Sequence, residues 1–192
     1  MFPDNKLRVL IVDNSRAITG ALNAMRRAAE SLCPGIHFEW VVPVGSNCRA
    51  GLEADGYVVH ELPFVELSRR KSDLLQYLPM LLRRLAAQRR INVLHLNDFY
   101  NLTAYVARWL SGCKLLVFTH VRLLHQAQMP FLARGWRWLA EHAAQQVLCV
   151  SDSVRSYFAA DPVRIQTVYD PLSARGEKLL PYTVLDDIAC PV

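Results

Sequence analysis

The sequence lacks the runs and motifs that mark several large classes of protein. No apolar run approaches the roughly 18 residues that a membrane-spanning helix needs, and the N-terminal MFPDNK has no apolar signal region. The patterns G-x-x-x-x-G-K-[ST], G-x-G-x-x-G and G-x-S-x-G are absent. These absences leave little support for P-loop nucleotide hydrolysis, nicotinamide-dependent hydride transfer or α/β-hydrolase chemistry. We expect a cytoplasmic protein, with attachment to a membrane surface left open.

The sequence has few cysteines, and their spacing shows no paired motif. There are five, an odd number, and no Cys-x-x-Cys occurs. Cys113 and Cys149 lie beside or in apolar runs and are expected to be buried thiols, which fits a reducing cytosol. No His/Cys/Asp cluster suggests zinc, and His120 and His125 are not at a metal-binding helical spacing. We therefore expect no bound metal or cofactor.

The composition is that of a globular protein. The chain has 192 residues, of which 52% are hydrophobic and 20% charged, so it holds enough apolar material for a core. The net charge of +5 suits phosphates, nucleic acid or an anionic membrane, and proves none of them. A nucleic-acid partner would rest on charge alone, so none is expected.

Apolar, β-branched runs alternate with helix-forming segments along most of the chain. The first unit is a strand at Leu7–Asp13, a polar loop at Asn14–Thr19 closed by Gly20, and a helix at Ala21–Leu32 with Ala21, Met25, Ala28/Ala29 and Leu32 at helical spacing. Further strands are predicted at Phe38–Val44, Gly56–Leu62, Asn92–Leu96, Lys114–Thr119, Gln146–Val150 and Arg164–Tyr169. Further helices are predicted at Ser68–Arg90, Tyr100–Leu110, Met129–Ala144 and Val154–Phe158.

This alternation predicts an α/β fold: a Rossmann-like, doubly wound, mostly parallel sheet of about seven strands in the order 3-2-1-4-5-6-7. Residues 1–172 would form this domain. Residues 173–192 contain Pro181 and Pro191 without a clear period, and are expected to be a linker or tail.

The segment Ser68–Arg90 is strongly basic. Its apolar stripe is Leu74, Leu78, Leu81/Leu82 and Leu85, and Pro79 should kink or restart the helix. The basic residues include Arg69, Arg70, Lys71, Arg83 and Arg84. Two interpretations stay open: a surface helix with a solvated charged face, and a surface that binds an anionic membrane.

Polar loops follow the predicted strands, and the carboxyl ends of parallel strands meet at one edge of the sheet, where ligands bind. These loops are Asn14–Gly20, Gly45–Arg49, Asn97–Tyr100, His120–Arg122 and Ser151–Ser153. The first loop and the helix after it favour an anion such as phosphate, and Gly20 permits close approach. His120 directly follows an apolar strand; it is either a site residue or bonded to a neighbouring loop. Asp98 could orient a basic group or bind a hydroxyl, or cap the Tyr100 helix, and Asp13 could merely order its own loop.

The order of five motifs resembles the N-terminal domain of GT-B glycosyltransferases, in particular family 4. TGALNAMRRAAESL resembles the family's glycine loop and helix, with Gly20 as the second glycine and Thr19 replacing the first. NVLHLND resembles its mid-domain strand, with Asn97 where a histidine is common. LLVFTH gives His120, VLCVSDSV resembles the later strand and helix, and TVYDPL the closing strand, with Asp170 in place of Asn.

The resemblance implies transfer of a sugar from a nucleotide-sugar to an acceptor without a bound metal. The acceptor could be lipid-linked. The resemblance places a catalytic role on His120 and donor-phosphate contacts on Thr19, Gly20 and Arg16. Acceptor contacts would fall to Asn14, Ser15, Asn97, Asp98 and Arg122. The family's donor-binding C-terminal domain has no counterpart in these residues, so the chain alone is expected to be inactive. It would need that domain or a partner subunit.

Two other classes compete. The first is a non-catalytic subunit or scaffold that recruits a split transferase to a membrane. The second is a receiver-like signalling domain, suggested by RVLIVDN and KLLVFTH. That domain type needs an acidic pair, which is absent at Asp13-Asn14, and the chain continues too far past Thr119.

Overall fold

Seven parallel strands form one sheet in the computed structural model, which describes residues 7–32, 35–63, 72–97, 101–112, 114–122, 130–158 and 163–169, with 72–78 and 130–133 described by backbone alone. The strands are β1 Leu7–Val12, β2 Ile36–Pro43, β3 Val58–Leu62, β4 Val93–Leu96, β5 Leu116–Val121, β6 Gln146–Cys149 and β7 Ile165–Thr167. The helices are α1 Gly20–Leu32, α2 Cys48–Ala54, α3 Ser72–Arg89, α4 Leu102–Leu110, α5 Pro130–Ala143 and α6 Asp152–Arg155.

The strand order is β3-β2-β1-β4-β5-β6-β7, and every neighbouring pair is parallel. The predicted Rossmann-like fold and strand order are confirmed. The order reverses at β1, whose two neighbours are β2 and β4. That reversal is where an α/β sheet of this type forms a crevice.

Apolar side chains cover both faces of the sheet, which is why the strands read as unbroken apolar runs. Leu10 and Val12 face a core shared with buried residues of α3, α4 and α5. Val9 and Ile11 face a second core built with α1 and α2. Residues of the first strand therefore alternate between two helix layers.

Two helices differ from expectation. The segment Gly45–Arg49 was expected to be loop, but α2 begins at Cys48. This helix has only seven residues, too few for an apolar period to be visible in the sequence. In α4 the helical spacing puts Leu102, Val106 and Leu110 on one face, but that face is not the buried one, since Leu110 is 43% exposed. The buried residues of that helix are Thr103, Ala104, Tyr105 and Ala107.

Helix α3 runs from Ser72 to Arg89 with Pro79 inside it, so Pro79 does not restart the helix, and the alternative of a kink there stays a prediction. Leu82 is fully buried and Leu81 and Leu85 are partly buried, as the stripe predicts. The side chains of Leu74 and Leu78, and residues Arg69, Arg70 and Lys71, lie outside the described residues.

A buried carboxylate joins α3 to the sheet. Glu39 of β2 has no exposed surface. It accepts from Arg89 Nε at 2.9 Å and Arg8 Nη2 at 3.1 Å, and it contacts the rings of His60 at 2.7 Å and His37 at 3.2 Å. Burial raises the pKa of Glu39, but hydrogen bonds from Arg89, His60 and Arg8 outweigh it and lower the pKa to about 2. Glu39 therefore stays ionised and holds the end of α3.

Candidate functional site at the β1–β4–β5 edge

A carboxylate and an amide meet where the strand order reverses. Asp13 follows β1 and Asn97 follows β4, and they are 2% and 5% exposed. Asn97 Nδ2 donates to Asp13 Oδ2 at 2.5 Å, and the backbone N–H of Ser15 donates to Asp13 Oδ1 at 2.7 Å. Asp13 thus orders its own loop, one of the two roles considered for it, and also ties that loop to β4.

The chain of bonds continues to β5. Arg122 Nε donates to Asn97 Oδ1 at 3.2 Å, and Arg122 Nη2 lies 3.2 Å from His120 Nδ1. The Asn97 amide therefore bridges the Asp13 carboxylate and the Arg122 guanidinium. Three neighbouring strands are linked through their carboxyl ends by these four side chains, which we call the edge network.

His120 lies inside β5, one residue before its end, and not just after the strand as expected. It is 5% exposed, so the ring is held rigidly in the sheet. The ring of His95, on the neighbouring strand, is 5.9 Å away between centroids. Burial, the charge of Arg122 and the nearby His95 all keep the pKa of His120 well below its usual value. His120 is therefore uncharged near neutral pH.

The loop after β1 is also tied to α4. Asn101 Nδ2 donates to Asn14 Oδ1 at 3.2 Å, while Asn101 Oδ1 accepts from the backbone N–H of Ala104 at 3.1 Å. Asn101 is therefore the N-cap of α4, which begins at Leu102. The N-cap position considered for Asp98 is thus held by Asn101, and Asp98 itself lies outside the described residues.

The predicted phosphate loop leads into α1. Thr19 Oγ1 accepts from the backbone N–H of Leu22 at 3.1 Å, so Thr19 caps the helix. Gly20 is the first residue of α1 and is exposed, as is Arg16. The arrangement leaves backbone N–H groups of the first turn at an accessible helix N-terminus.

The loop after β2 fastens this phosphate loop in place. Ser46 Oγ donates to the carbonyl of Ser15 at 2.9 Å, and the backbone N–H of Asn47 donates to the carbonyl of Arg16 at 3.0 Å. Arg49, which was expected in this loop, lies in α2 and is paired with Glu53 at 2.8 Å and Glu61 at 2.6 Å. Its positive charge is therefore balanced by one carboxylate of α2 and one of β3.

The loop after β6 forms hydrogen bonds to α6 and β7. Ser151 caps α6 by accepting from the backbone N–H of Val154 at 3.2 Å. Asp152 Oδ1 accepts from Thr167 Oγ1 of β7 at 2.6 Å. The structure therefore brings together the loops after β1, β2, β4 and β5, and ties Ser151–Ser153 to β7.

Sequence reasoning missed two residues near the site. Asn101 was not considered as a cap because the helix was placed two residues early. His95 lies within a predicted strand and is not among the predicted site residues, although NVLHL and LLVFTH each carry a histidine near the strand end. In parallel register His95 lies opposite Phe118, which places His95 and His120 on the same face of the sheet.

A family model for the glycosyl transferase 4-like domain matches residues 19–169. The chain belongs to the glycosyl transferase 4-like family. This match covers most of the sheet and the edge network apart from Asp13, and it confirms the resemblance drawn from the sequence. Comparison with curated proteins gave no match.

Solved structures share the fold at low identity. A glycosyltransferase from Rickettsia africae has a TM-score of 0.67 at 14% identity, with 86% of this chain and 43% of that chain covered. Alr3699/HepE from Anabaena, in complex with UDP-glucose, has a TM-score of 0.66 at 15% identity, covering 86% and 44%. The UDP-N-acetylglucosamine 2-epimerase from Rickettsia bellii has a TM-score of 0.58 at 9% identity, covering 86% and 45%.

These likenesses establish the fold, which transferases and an epimerase share. The chain spans less than half the length of each of these three proteins. Among the described helices, none combines the length and apolar character needed to cross a membrane. Nor do the described residues bring together three or more His, Cys, Asp or Glu side chains in a way that could hold a metal ion.

Proposed function

We propose that this chain is the acceptor-side half of a glycosyltransferase that moves a sugar from a nucleotide-sugar to an acceptor. The observation that carries the proposal is the edge network, which lies at the strand reversal of a domain of the glycosyl transferase 4-like family. We assign the donor phosphates to Thr19, Gly20 and Arg16, and a catalytic contact to His120. The acceptor would meet Asn14, Ser15, Asn97, Asp98 and Arg122, with Asn97 and Arg122 also ordering the others.

Gly20 supports the donor assignment. Among the described residues, nothing lies within 4 Å of where its Cβ would be, and its φ is not positive. Neither packing nor backbone conformation therefore requires glycine there. A ligand that approaches the backbone at the N-terminus of α1 would require it, and an anionic phosphate suits that end of a helix.

Titration with UDP-glucose, followed by NMR of the isotopically labelled chain, tests the donor assignment. We expect the amide signals of Thr19, Gly20 and His120 to shift on addition of UDP-glucose and much less on addition of glucose. Gly20→Ala should weaken that binding, because the new methyl group occupies the space beside the phosphate. The fold should be kept, or stabilised by up to about 1 kcal/mol, because alanine is the better helix former.

Gly51→Ala is the matched control. Gly51 is a partly exposed residue of α2, and among the described residues its added Cβ would meet only the end of the Arg26 side chain at 3.8 Å. We expect UDP-glucose to bind this variant as it binds the parent chain. Equal binding by the Gly20→Ala and Gly51→Ala variants, or shifts confined to other parts of the chain, would contradict the donor assignment.

We further propose that a second domain or partner subunit supplies most of the donor-binding groups. Negative charge builds on the leaving diphosphate during glycosyl transfer, and donors fixed in a closed, dry cleft must stabilise it. One wall of such a cleft presents only part of them. We expect the purified chain alone to transfer no measurable sugar from UDP-glucose, and clear transfer would refute this half-site proposal.

A second proposal concerns the membrane. Met80 on α3 is 58% exposed, and one turn later Arg83 and Arg84 are exposed on the same side. An apolar side chain beside two cations fits a helix that rests on an anionic lipid surface. This surface would serve a transferase with a lipid-linked acceptor, and equally a non-catalytic recruiting subunit.

Liposome flotation tests the membrane proposal. We expect the chain to float with vesicles containing phosphatidylserine and to float much less with phosphatidylcholine alone. The double variant Arg83→Gln/Arg84→Gln should lose this preference. Arg134→Gln/Arg155→Gln removes the same charge from exposed positions on α5 and α6 and should keep it. Equal flotation with both lipids would count against the proposal.

A further inference from the structure

The hydrogen bonds of the edge network determine which ring nitrogen of His120 carries the proton. Arg122 can only donate hydrogen bonds, because a guanidinium keeps all its protons at any pH a protein survives. Its Nη2 lies 3.2 Å from His120 Nδ1, so Nδ1 must be the acceptor and carries no proton. A neutral imidazole has one N–H, and that proton is then on Nε2.

We propose that Arg122 is a positioning residue that holds His120 as the neutral tautomer protonated at Nε2. In that form the proton is on Nε2, and the Nδ1 lone pair accepts from Arg122 and is not available to take a proton. On the proposed function, His120 would therefore not act as the base that deprotonates the acceptor.

The rest of the network explains why Arg122 stays in place. Its Nε is bound to Asn97 Oδ1, and the other end of that amide donates to the Asp13 carboxylate. If the Asn97 amide were rotated by half a turn, its oxygen would face the Asp13 carboxylate and its NH₂ group would face the Arg122 guanidinium. The two charged partners therefore fix the orientation of the amide. The positive charge of Arg122 is thereby balanced by Asp13 through one amide, while its donors point at His120.

The surroundings also disfavour a charged His120. In the part of the chain that the structure describes, the charged or titratable groups linked to it include Arg122 on its own segment, His95 on β4, and Asp13 after β1 through Asn97. In the described part of the chain, His95 Nε2 is enclosed and has no hydrogen-bond partner. Burial and Arg122 lower the pKa of His95 to about 4. Among the described residues, an imidazolium at His120 would therefore face the cation Arg122 and the neutral ring of His95, while Asp13 is reached only through Asn97.

The test is NMR of the chain labelled with ¹⁵N-histidine, which distinguishes the two tautomers and the imidazolium for each of the six histidines. His120→Gln assigns the His120 signals by their disappearance. We expect Nε2 protonated and Nδ1 unprotonated, with no imidazolium between pH 8 and pH 6. A proton on Nδ1, or an imidazolium at pH 7, would overturn the proposal using the parent chain alone.

Substitutions of Arg122 test whether this residue positions His120 or only stabilises the fold. Arg122→Gln removes the charge, so the titration midpoint of His120 should rise above that of the parent. Arg122→Lys keeps a cation and should keep the midpoint low. Arg84→Gln is the control, because it removes an exposed charge from α3 and should leave His120 unchanged. If Arg122→Gln and Arg84→Gln give the same midpoint and tautomer, Arg122 does not position His120.

The same spectra keep this inference separate from the proposed function. Absence of any UDP-glucose shift at His120 would count against the site assignment, whereas the tautomer is read without ligand. A chain with the expected tautomer and no response to UDP-glucose would retain the inference and lose the donor assignment.

Discussion

One amide, that of Asn97, stands between the two opposite charges of the edge network. Asp13 is almost fully buried, and a buried carboxylate is costly unless hydrogen-bond donors satisfy it. Its donors are the Ser15 backbone and Asn97 Nδ2. At this scale, the site is held by a few short bonds between residues far apart in sequence.

Asn97→Ala should therefore destabilise the chain. We expect the free energy of unfolding to fall by about 1–3 kcal/mol, because one oxygen of a buried carboxylate loses its donor. Asn47→Ala is the control at the same edge: Asn47 is exposed and its side chain makes no capping bond, so we expect a change within about 0.5 kcal/mol. Urea denaturation measures both, and equal effects would contradict this account of Asn97.

Helix α4 packs through two alanines and one large side chain, Tyr105, which has no exposed surface. Ala104 and Ala107 have no exposed surface, whereas Leu110 and Trp109 are 43% and 47% exposed. Small side chains let the helix lie close to the sheet and to α3. The cap at Asn101 fixes where the helix begins and joins it to Asn14. Helix α4 is therefore rotated so that Ala104, Tyr105 and Ala107 face the core, and Trp109 and Leu110 lie largely in water.

Two substitutions in α4 check this rotation. Ala107→Leu should lower the free energy of unfolding by about 1–3 kcal/mol, because the core there has no room for a larger side chain. Leu110→Ala should change it by less than about 1 kcal/mol, because the side chain is already largely in water. Urea denaturation would show the reverse ranking if the apolar stripe expected from the sequence were the buried one.

The whole molecule carries a pH dependence that comes from buried titratable groups. The pKa values of His95 and His120 are lowered in the folded chain, so the unfolded chain binds their protons more readily. Stability from these histidines is complete above their unfolded pKa near 6.5 and is lost as the pH falls through the folded values. Glu39 has a folded pKa of about 2, so its contribution is lost only below about pH 4.5.

We expect the free energy of unfolding to fall by on the order of 2 kcal/mol from His95 alone between pH 7 and pH 5, given its folded pKa of about 4. His120 adds to this fall. Urea denaturation at the two pH values measures it. His95→Gln should reduce the difference, whereas the exposed His142→Gln on α5 should retain it. An unchanged difference in His95→Gln would contradict the assignment to His95.

Much of the fold could be predicted from the sequence. Seven apolar runs, alternating with helix-forming segments, specify parallel strands, and the right-handed crossover rule leaves few possible orders. The predicted order is the observed one. Of the candidate site, the strand-end positions of Asn97 and Arg122 were also predictable, because the strand boundaries are visible as changes from apolar to polar residues.

The sequence by itself determined the layers and the edge at which polar residues gather, because burial on both faces demands continuous apolar strands. Only the tertiary structure decided which polar groups meet. Asp13 and Asn97 are separated by 84 positions, and Glu39 and Arg89 by 50. Their contact depends on strand register and on how far each helix is rotated. Strand register and helix rotation are set by the packing of all layers together, and no local sequence pattern specifies them.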